Sequence, residues 1–222
     1  MIKSPGAEKR AENLMPALEP KPSRAEDRRN AILDCADAVF VTEGYQGASM
    51  AAIAQRVGGS KATLYNYFPS KEDLFAACVA RRCERLHAQV SSLLAEGRNV
   101  EETLRRVGAR YVAMLSSDEF VQPYRMVIAE AGRAPEVGVA FYENGPARGA
   151  TVLAAYIARA MEEGALRRDD PAHAAEHFIA LCHHRFSKIR LCNVAPAPSE
   201  AEIAQEVERA VRVFMAAYAA KA

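Results

Sequence analysis

The 222-residue sequence lacks the patterns of several common classes of protein. No run of β-branched residues alternates in the way that a β-strand requires, so the sequence predicts an all-α fold. No apolar run reaches the roughly 20 residues that a helix needs to cross a bilayer, and no secretory signal is present. These absences predict a cytoplasmic protein without a membrane partner.

Sequence patterns of catalytic and phosphate-binding sites are also missing. The sequence contains no GxSxG motif, no HExxH motif and no phosphate-loop spacing. It therefore predicts neither an enzyme nor a cofactor. The sequence also has no large excess of positive or negative charge, since 29 Lys and Arg residues balance 28 Asp and Glu residues. Net charge consequently gives no indication of a nucleic-acid partner.

The cysteines show no sign of a disulfide framework. Their number is odd, and no two of them form a Cys-x-x-Cys pair. We interpret them as reduced, buried thiols that pack like small apolar side chains, and redox sensing is the alternative. The five residues are Cys35, Cys78, Cys83, Cys182 and Cys192.

Two short helices joined by a tight turn are the most informative feature that is present. Ser49 is a suitable N-cap for the first helix, and Gly58 can adopt the left-handed conformation that ends it. Ser60 caps the second helix, which Pro69 stops. Helices this short are marginally stable alone, so the preceding helix must pack across them. The pattern predicts a helix-turn-helix.

The second of these helices carries a distinctive polar face. Its exposed positions offer hydroxyl, amide and ammonium groups in place of the usual surface Glu and Lys. Such groups hydrogen-bond phosphates and base edges, so the face indicates DNA binding. The residues of this face are Ser60, Lys61, Thr63, Tyr65 and Asn66.

The segment from Arg24 to Arg85 resembles the DNA-binding domain of the TetR family of bacterial repressors. The run GGSKATLYNYFPSKEDLF carries the resemblance, together with Phe40, Gly44 and Tyr45. It implies a transcriptional repressor whose DNA contacts fall at matching positions of this chain. These positions are Ser49, Tyr65 and Lys71 for phosphates, Lys61 and Thr63 for base edges, and Ser60, Ala62, Asn66 and Tyr67 beside them.

A long helix and a helical body are predicted beyond Pro69. Apolar residues at helical spacing favour one helix of about 40 Å from Ser70 to Glu96. Capping and proline signals then begin further helices, which gives about nine to ten in the chain. We divide the sequence into a disordered arm (1–22), a helix-turn-helix DNA-binding domain (23–69) and a linking helix with a regulatory and dimerisation domain (70–222).

The body resembles the AefR-like C-terminal domain found in part of the TetR family. The resemblance lies in the segment from Pro123 to Pro135 and in shorter runs as far as Arg167. It implies a homodimer that binds a palindromic operator and is released by a small effector, and the aromatic and Met-rich residues of the body suggest that this effector is mostly apolar. By helix order, the resemblance places the dimer surface on residues 146–163 and 170–191.

Aromatic, methionine and charged side chains of the body are candidates for an effector pocket. Arg125 or Glu130 could supply a polar anchor. Apolar residues at helical spacing are also typical of plain core packing, so a body that only holds the dimer together remains the alternative. The candidates are Tyr111, Met114, Tyr124, Arg125, Glu130, Phe141 and Phe178.

Three histidines motivate a hypothesis from another functional class. His173, His177 and His184 fall on one face of a predicted helix, with Cys182 nearby. An all-helical enzyme or a metal-binding protein with an incidental helix-turn-helix is therefore the alternative to a regulator. A dimer contact is the stronger explanation of these histidines, because the step from His177 to His184 is too wide to complete a compact zinc site with His173.

Overall fold

The computed structural model describes residues 23–220, which form ten α-helices, one π-helical turn and no β-strand. The predicted all-α class is confirmed, and the predicted arm at residues 1–22 lies outside the described residues. Every helix within this part of the chain is too short or too polar to cross a membrane. The elements are α1 (Arg24–Gly47), α2 (Met50–Val57), α3 (Lys61–Tyr67), α4 (Lys71–Glu96), α5 (Val100–Ser116), α6 (Asp118–Glu130), α7 (Pro135–Tyr142), the π-helical turn (Glu143–Ala147), α8 (Arg148–Glu162), α9 (Pro171–Leu191) and α10 (Glu200–Tyr218).

Reciprocal side-chain caps begin both α1 and α10. The Ser23 hydroxyl accepts a hydrogen bond from the backbone N–H of Glu26, whose carboxylate accepts one from the N–H of Ser23. Ser199 and Glu202 form the same reciprocal pair at the start of α10. Each pair satisfies backbone donors that have no partner within the helix.

The first helix changes direction at Gly44. This residue has φ 73° and ψ 169°, a conformation that residues with a Cβ rarely adopt. Beyond it the chain turns inward, and Tyr45 is only 1% exposed.

Two clusters of buried apolar side chains share helix α4. The head cluster joins α1–α3 to the first half of α4, as far as Cys83, and includes Val127 of α6 and Phe141 of α7. The body cluster contains the second half of α4, from Leu86 to Leu94, with α5, α8, α9 and α10. One helix therefore passes through both cores. We call α1–α3 the head and α5–α10 the body.

The chain remains helical between α7 and α8. Residues Glu143–Ala147 form a π-helical turn there, and no side chain caps the start of α8. The turn contains Pro146, which has no N–H to donate to a regular helical hydrogen bond. Helix α7 therefore continues into α8 through the π-helical turn.

Candidate DNA-binding surface and effector cavity

The turn between α2 and α3 is fixed by glycines and by an arginine of α1. Gly58 has the left-handed values φ 70° and ψ 43° that end α2. The Arg28 guanidinium donates to the carbonyl oxygens of Val57 at 3.2 Å and of Gly58 at 3.4 Å. A Cβ at Gly59 would lie 2.5 Å from the same guanidinium. Helix α1 thus braces the turn, and the sequence pattern gives no signal for the role of Arg28.

The polar face predicted on α3 lies at the surface. The Ser60 hydroxyl caps the helix by accepting from the backbone N–H of Thr63 at 3.0 Å. The Lys61 ammonium lies 5.8 Å from the centre of the Tyr65 ring, which is 41% exposed. Ser60, Lys61, Ala62, Tyr65 and Asn66 are exposed, whereas Thr63 and Tyr67 are partly buried.

Lys71 is placed beside the start of α2. Its ammonium donates to the carbonyl oxygens of Tyr45 at 3.0 Å and Ala48 at 3.3 Å, and lies 4.3 Å from the centre of the Tyr45 ring. The Ser49 hydroxyl caps α2 by accepting from the N–H of Ala52. A cation and a helix N-terminus both favour anions, so this corner suits a phosphate.

Tyr45 is also tied to the start of α4. Its hydroxyl donates to a Glu72 carboxylate oxygen at 3.0 Å. Burial and this carboxylate raise the pKa of the Tyr45 hydroxyl, so Tyr45 remains protonated. The contact joins the turn that precedes α2 to the helix that leads into the body.

Matches to two protein families cover the head and the body separately. Residues 32–78 match the family described as bacterial regulatory proteins, tetR family. Residues 102–220, more than half of the chain, match the AefR-like transcriptional repressor, C-terminal domain. The chain belongs to the TetR family. Both resemblances predicted from the sequence are confirmed, and the protein is a DNA-binding transcriptional regulator.

Individual TetR-family proteins match most or part of the chain. The transcriptional repressor KstR of Mycolicibacterium smegmatis is 26% identical over 192 residues, which cover 85% of this chain and 87% of KstR. The transcriptional activator FasR of the same species is 33% identical over 102 residues, and this match spans only 46% of either protein. The solved structure of the flavonoid-responsive regulator FrrA is 32% identical, has a TM-score of 0.76, and is matched over 88% of this chain and 99% of FrrA.

Helices α5, α8 and α9 of the body enclose a small cavity together with α4. Its volume is about 10 Å³, which is room for about one water molecule. Most of its wall is apolar, and its polar groups are an imidazole, a phenol and a thiol. The lining residues are His87, Val90, Val107, Tyr111, Gly149, Val152, Leu153, Phe178, Ile179 and Cys182.

His87 brings an unsatisfied polar group to this cavity. It is only 7% exposed, and its Nδ1 atom has no hydrogen-bond partner among residues 23–220. Burial and the Arg148 guanidinium lower the pKa of His87, so the ring is neutral near neutral pH. Neither His87 nor Gly149 is among the predicted residues, although His87 interrupts the apolar stripe of α4 between Cys83 and Val90.

Tyr111 faces the same space. Burial raises the pKa of Tyr111 to about 12, which keeps its hydroxyl protonated. A Cβ at Gly149 would lie 3.0 Å from the Tyr111 hydroxyl and 3.5 Å from Nε2 of His87. Gly149 therefore allows the backbone of α8 to approach both polar groups.

The seven residues predicted to line an effector pocket do not form one pocket. Tyr111 and Phe178 both line the cavity. Met114 borders a separate cleft that contains several arginines. Tyr124 and Phe141 stack on each other, with ring centres 5.0 Å apart, and pack with the head cluster. The prediction of a single pocket is corrected because α6 and α7 pack toward the head.

The two charged candidates also lie outside the cavity lining. Arg125 donates to the carbonyl oxygens of Arg190 at 2.5 Å and Leu191 at 3.0 Å, and so satisfies the last carbonyls of α9. A Cβ at Gly44 would lie 3.4 Å from one Glu130 carboxylate oxygen, and the other oxygen is buried without a partner among the described residues. Glu130 thus lies where the head meets α6.

An open groove of about 680 Å³ runs between α9 and α10. Its wall is largely apolar and includes Leu181, Ala210 and Val213, of which Val213 is 51% exposed. Val213 of this groove is exposed, whereas Leu153 and Ile157 of α8 are buried in the body cluster.

The three predicted histidines are not gathered at one point. His177 and His184 line the groove, and Nδ1 of His177 lies 2.6 Å from the Tyr218 hydroxyl. His173 is exposed and approaches Asp170 at 3.4 Å. Within residues 23–220, no group of three or more His, Cys, Asp and Glu side chains is arranged to hold a metal ion.

The cysteines differ sharply in exposure. All five are free thiols, and Cys192 is the exposed one. Burial raises the pKa of Cys78 and of Cys182 to about 12. Burial also raises the pKa values of Cys35 and Cys83.

We expect one thiol of the folded protein to react rapidly with a chromogenic disulfide reagent at pH 8. That thiol is Cys192, and Cys192→Ser should remove the fast phase. Cys78 and Cys182 should react on the order of a thousandfold more slowly, because so little of each is thiolate at this pH. Absorbance at the released chromophore measures the rates, with urea-unfolded protein as the control. Fast reaction of Cys78 or Cys182 would revive the redox-sensing alternative.

Proposed function

We propose that the chain is a cytoplasmic transcriptional repressor that binds a palindromic operator as a homodimer and is released by a small, mostly apolar effector. The exposed polar face of α3, on a turn braced by Arg28, carries the proposal. Two similarities support it, since KstR is a repressor and FrrA is flavonoid-responsive. The proposal includes no enzymatic activity, cofactor or membrane.

Helix α3 enters the major groove in this proposal. Lys61 and Thr63 contact base edges, while Ser49, Tyr65 and Lys71 contact phosphates. The corner formed by Lys71 and the start of α2 supports the phosphate assignment. Ser60, Ala62, Asn66 and Tyr67 lie beside these contacts, where the Ala62 methyl group is suited to a thymine methyl.

A second copy of the chain occupies the groove between α9 and α10. Pairing across a two-fold axis would bury Val213 and Leu181 and form a four-helix interface. Of the two segments predicted for the dimer surface, we keep 170–191, which is α9, and replace 146–163 with α10, because the apolar residues of α8 are already covered. Two heads related by this axis require an inverted-repeat operator.

Helix α4 connects the effector cavity to the head. His87 and Val90 line the cavity, and Phe75, earlier on the same helix, packs in the head cluster. Arg82 pairs with Asp37 of α1 and donates to the carbonyl of Glu119, which ties α4 to both neighbours. An effector that favours a different head spacing releases the operator. A tenfold loss of affinity needs about 1.4 kcal/mol of such preference.

Gel shifts with DNA from beside the gene test the proposal. The wild type should bind one fragment specifically, and affinity should fall steeply with salt. Lys61→Ala should weaken operator binding by about 1–3 kcal/mol and relax the preference at one base position. Arg98→Ala, which removes an exposed charge between α4 and α5, is the matched control. Equal affinities for the two variants would refute the role of Lys61, and the absence of specific binding would refute the proposed function.

A further inference from the structure

The cavity wall offers hydrogen bonds but no charge. Among the described residues that line it, the polar groups belong to His87, Tyr111 and Cys182. An ionised ligand would lose its hydration there without gaining a counter-charge, which is strongly unfavourable. Arg148, the cation that lowers the pKa of His87, is exposed to solvent and does not line the cavity. The wall therefore favours an uncharged molecule.

His87 and Tyr111 bring hydrogen-bonding groups to the cavity. Nδ1 of His87 is buried without a partner among residues 23–220, and Tyr111, whose hydroxyl lies beside Gly149, lines the same cavity. A buried polar atom without a partner is destabilising, and a ligand that hydrogen-bonds to it would remove that cost. The unpaired imidazole nitrogen donates or accepts according to the tautomer, and a phenol does both. A ligand hydroxyl group can pair with either tautomer of His87, because a hydroxyl group both donates and accepts hydrogen bonds.

The cavity must widen to admit such a molecule, and two glycines and a π-helical turn lie on one side of it. Gly145 and Gly149 present no side chain toward α4, where a Cβ at Gly145 would lie 3.3 Å from the Cys83 sulfur. The π-helical turn that contains Gly145 joins α7 to α8. Such turns are frequent at functional sites, and the absence of interlocking side chains allows α8 to shift along α4.

We propose that the cavity selects an uncharged, largely apolar effector that carries a hydroxyl group, which pairs with His87 and Tyr111. This inference rests on the proposed function and specifies the chemical class of its effector. The effector separates α8 from α4 next to the π-helical turn. Because α7 lies at the other end of that turn and packs in the head cluster through Phe141, the separation is transmitted toward the head.

Three probes of one ring system test the selectivity by calorimetry. They are 2-naphthol, naphthalene and 2-naphthoate, which differ in the polar group. We expect 2-naphthol to bind at least about tenfold more tightly than naphthalene, which corresponds to about 1.4 kcal/mol, and 2-naphthoate to show no binding. Equal affinity for naphthol and naphthalene, stronger binding of naphthoate, or no binding of any probe would overturn the inference.

Variants assign the selectivity to the two residues. Tyr111→Phe and His87→Leu should each reduce the naphthol affinity to that of naphthalene, while naphthalene binding changes little. Tyr124→Phe makes the same chemical change outside the cavity and should retain the preference for naphthol. Thermal melting confirms that each variant is folded, and retention of the preference in both cavity variants would refute their roles.

Operator binding separates this inference from the proposed function. Without a probe, Tyr111→Phe should bind the operator as the wild type does, because the hydroxyl lies in the body. A protein that binds no operator but still discriminates between the probes refutes the proposed function alone. A protein that binds the operator but does not discriminate refutes the effector class alone.

Discussion

Replacing Val213 with lysine should convert the dimer into a monomer and abolish operator binding. Val213 is 51% exposed in the groove between α9 and α10, which also contains Arg167 and Arg209. In the proposed dimer each lysine would be buried beside these cations, since Glu206, the carboxylate of the same groove, already pairs with Arg185 and Arg209. Two-fold symmetry applies the cost twice. Light scattering at micromolar concentration measures the mass, and a gel shift measures operator affinity.

Val139 provides the matched control for this experiment. It is 53% exposed on α7 and lies outside the groove, so Val139→Lys makes the same change at an equally exposed position. This variant should remain dimeric and keep its operator affinity. A dimeric Val213→Lys protein would show that the dimer surface lies elsewhere.

Truncating Phe75 should unfold the head. The Phe75 ring packs edge-on against Phe40 at 5.2 Å and against Tyr45 at 5.4 Å, and is 3% exposed. Removing a buried phenylalanine ring costs about 3–5 kcal/mol, because a cavity remains where the ring was. Phe75→Ala should therefore lose operator binding, and amide hydrogen exchange should become fast in α1–α3.

Phe178→Ala makes the same truncation in the body cluster that Phe75→Ala makes in the head cluster. Phe178 is 1% exposed and packs edge-on against Phe214 at 5.4 Å. The stability cost should be similar, but exchange should increase in α5, α9 and α10 rather than in the head. Identical exchange patterns for the two variants would show that the two clusters unfold as one unit.

The helix-turn-helix was predictable because local signals determine it. Ser49 and Ser60 each cap a helix through a backbone N–H three residues away, and Gly58 supplies the left-handed residue that ends α2. Each signal acts within one turn of helix, so a sequence pattern contains it completely. The same holds for the capping boxes at Ser23 and Ser199.

The proposed effector cavity was only partly predictable because it depends on which helix faces meet. Tyr111 and Phe178 reach the cavity, whereas Tyr124 and Phe141, of similar chemistry, pack with the head cluster. Periodicity gives the apolar face of a helix but not the helix that covers it. His87 was missed for the same reason. A single polar residue on an apolar helix face indicates a binding site only when the residues packed around it are known.

Because α4 passes through both cores, a chimera of this protein with a relative cannot be made by joining a complete head to a complete body without mixing residues within one core. A chimera joined at Pro69 would pack Phe40 and Tyr45 of one parent against Phe75 of the other. The compatible crossover lies between Cys83 and Leu86, where the head cluster gives way to the body cluster. A crossover there still places residues of α6 and α7 from one parent against the head cluster of the other. New operator specificity is therefore more readily engineered by grafting the exposed face of α3 than by swapping the whole head.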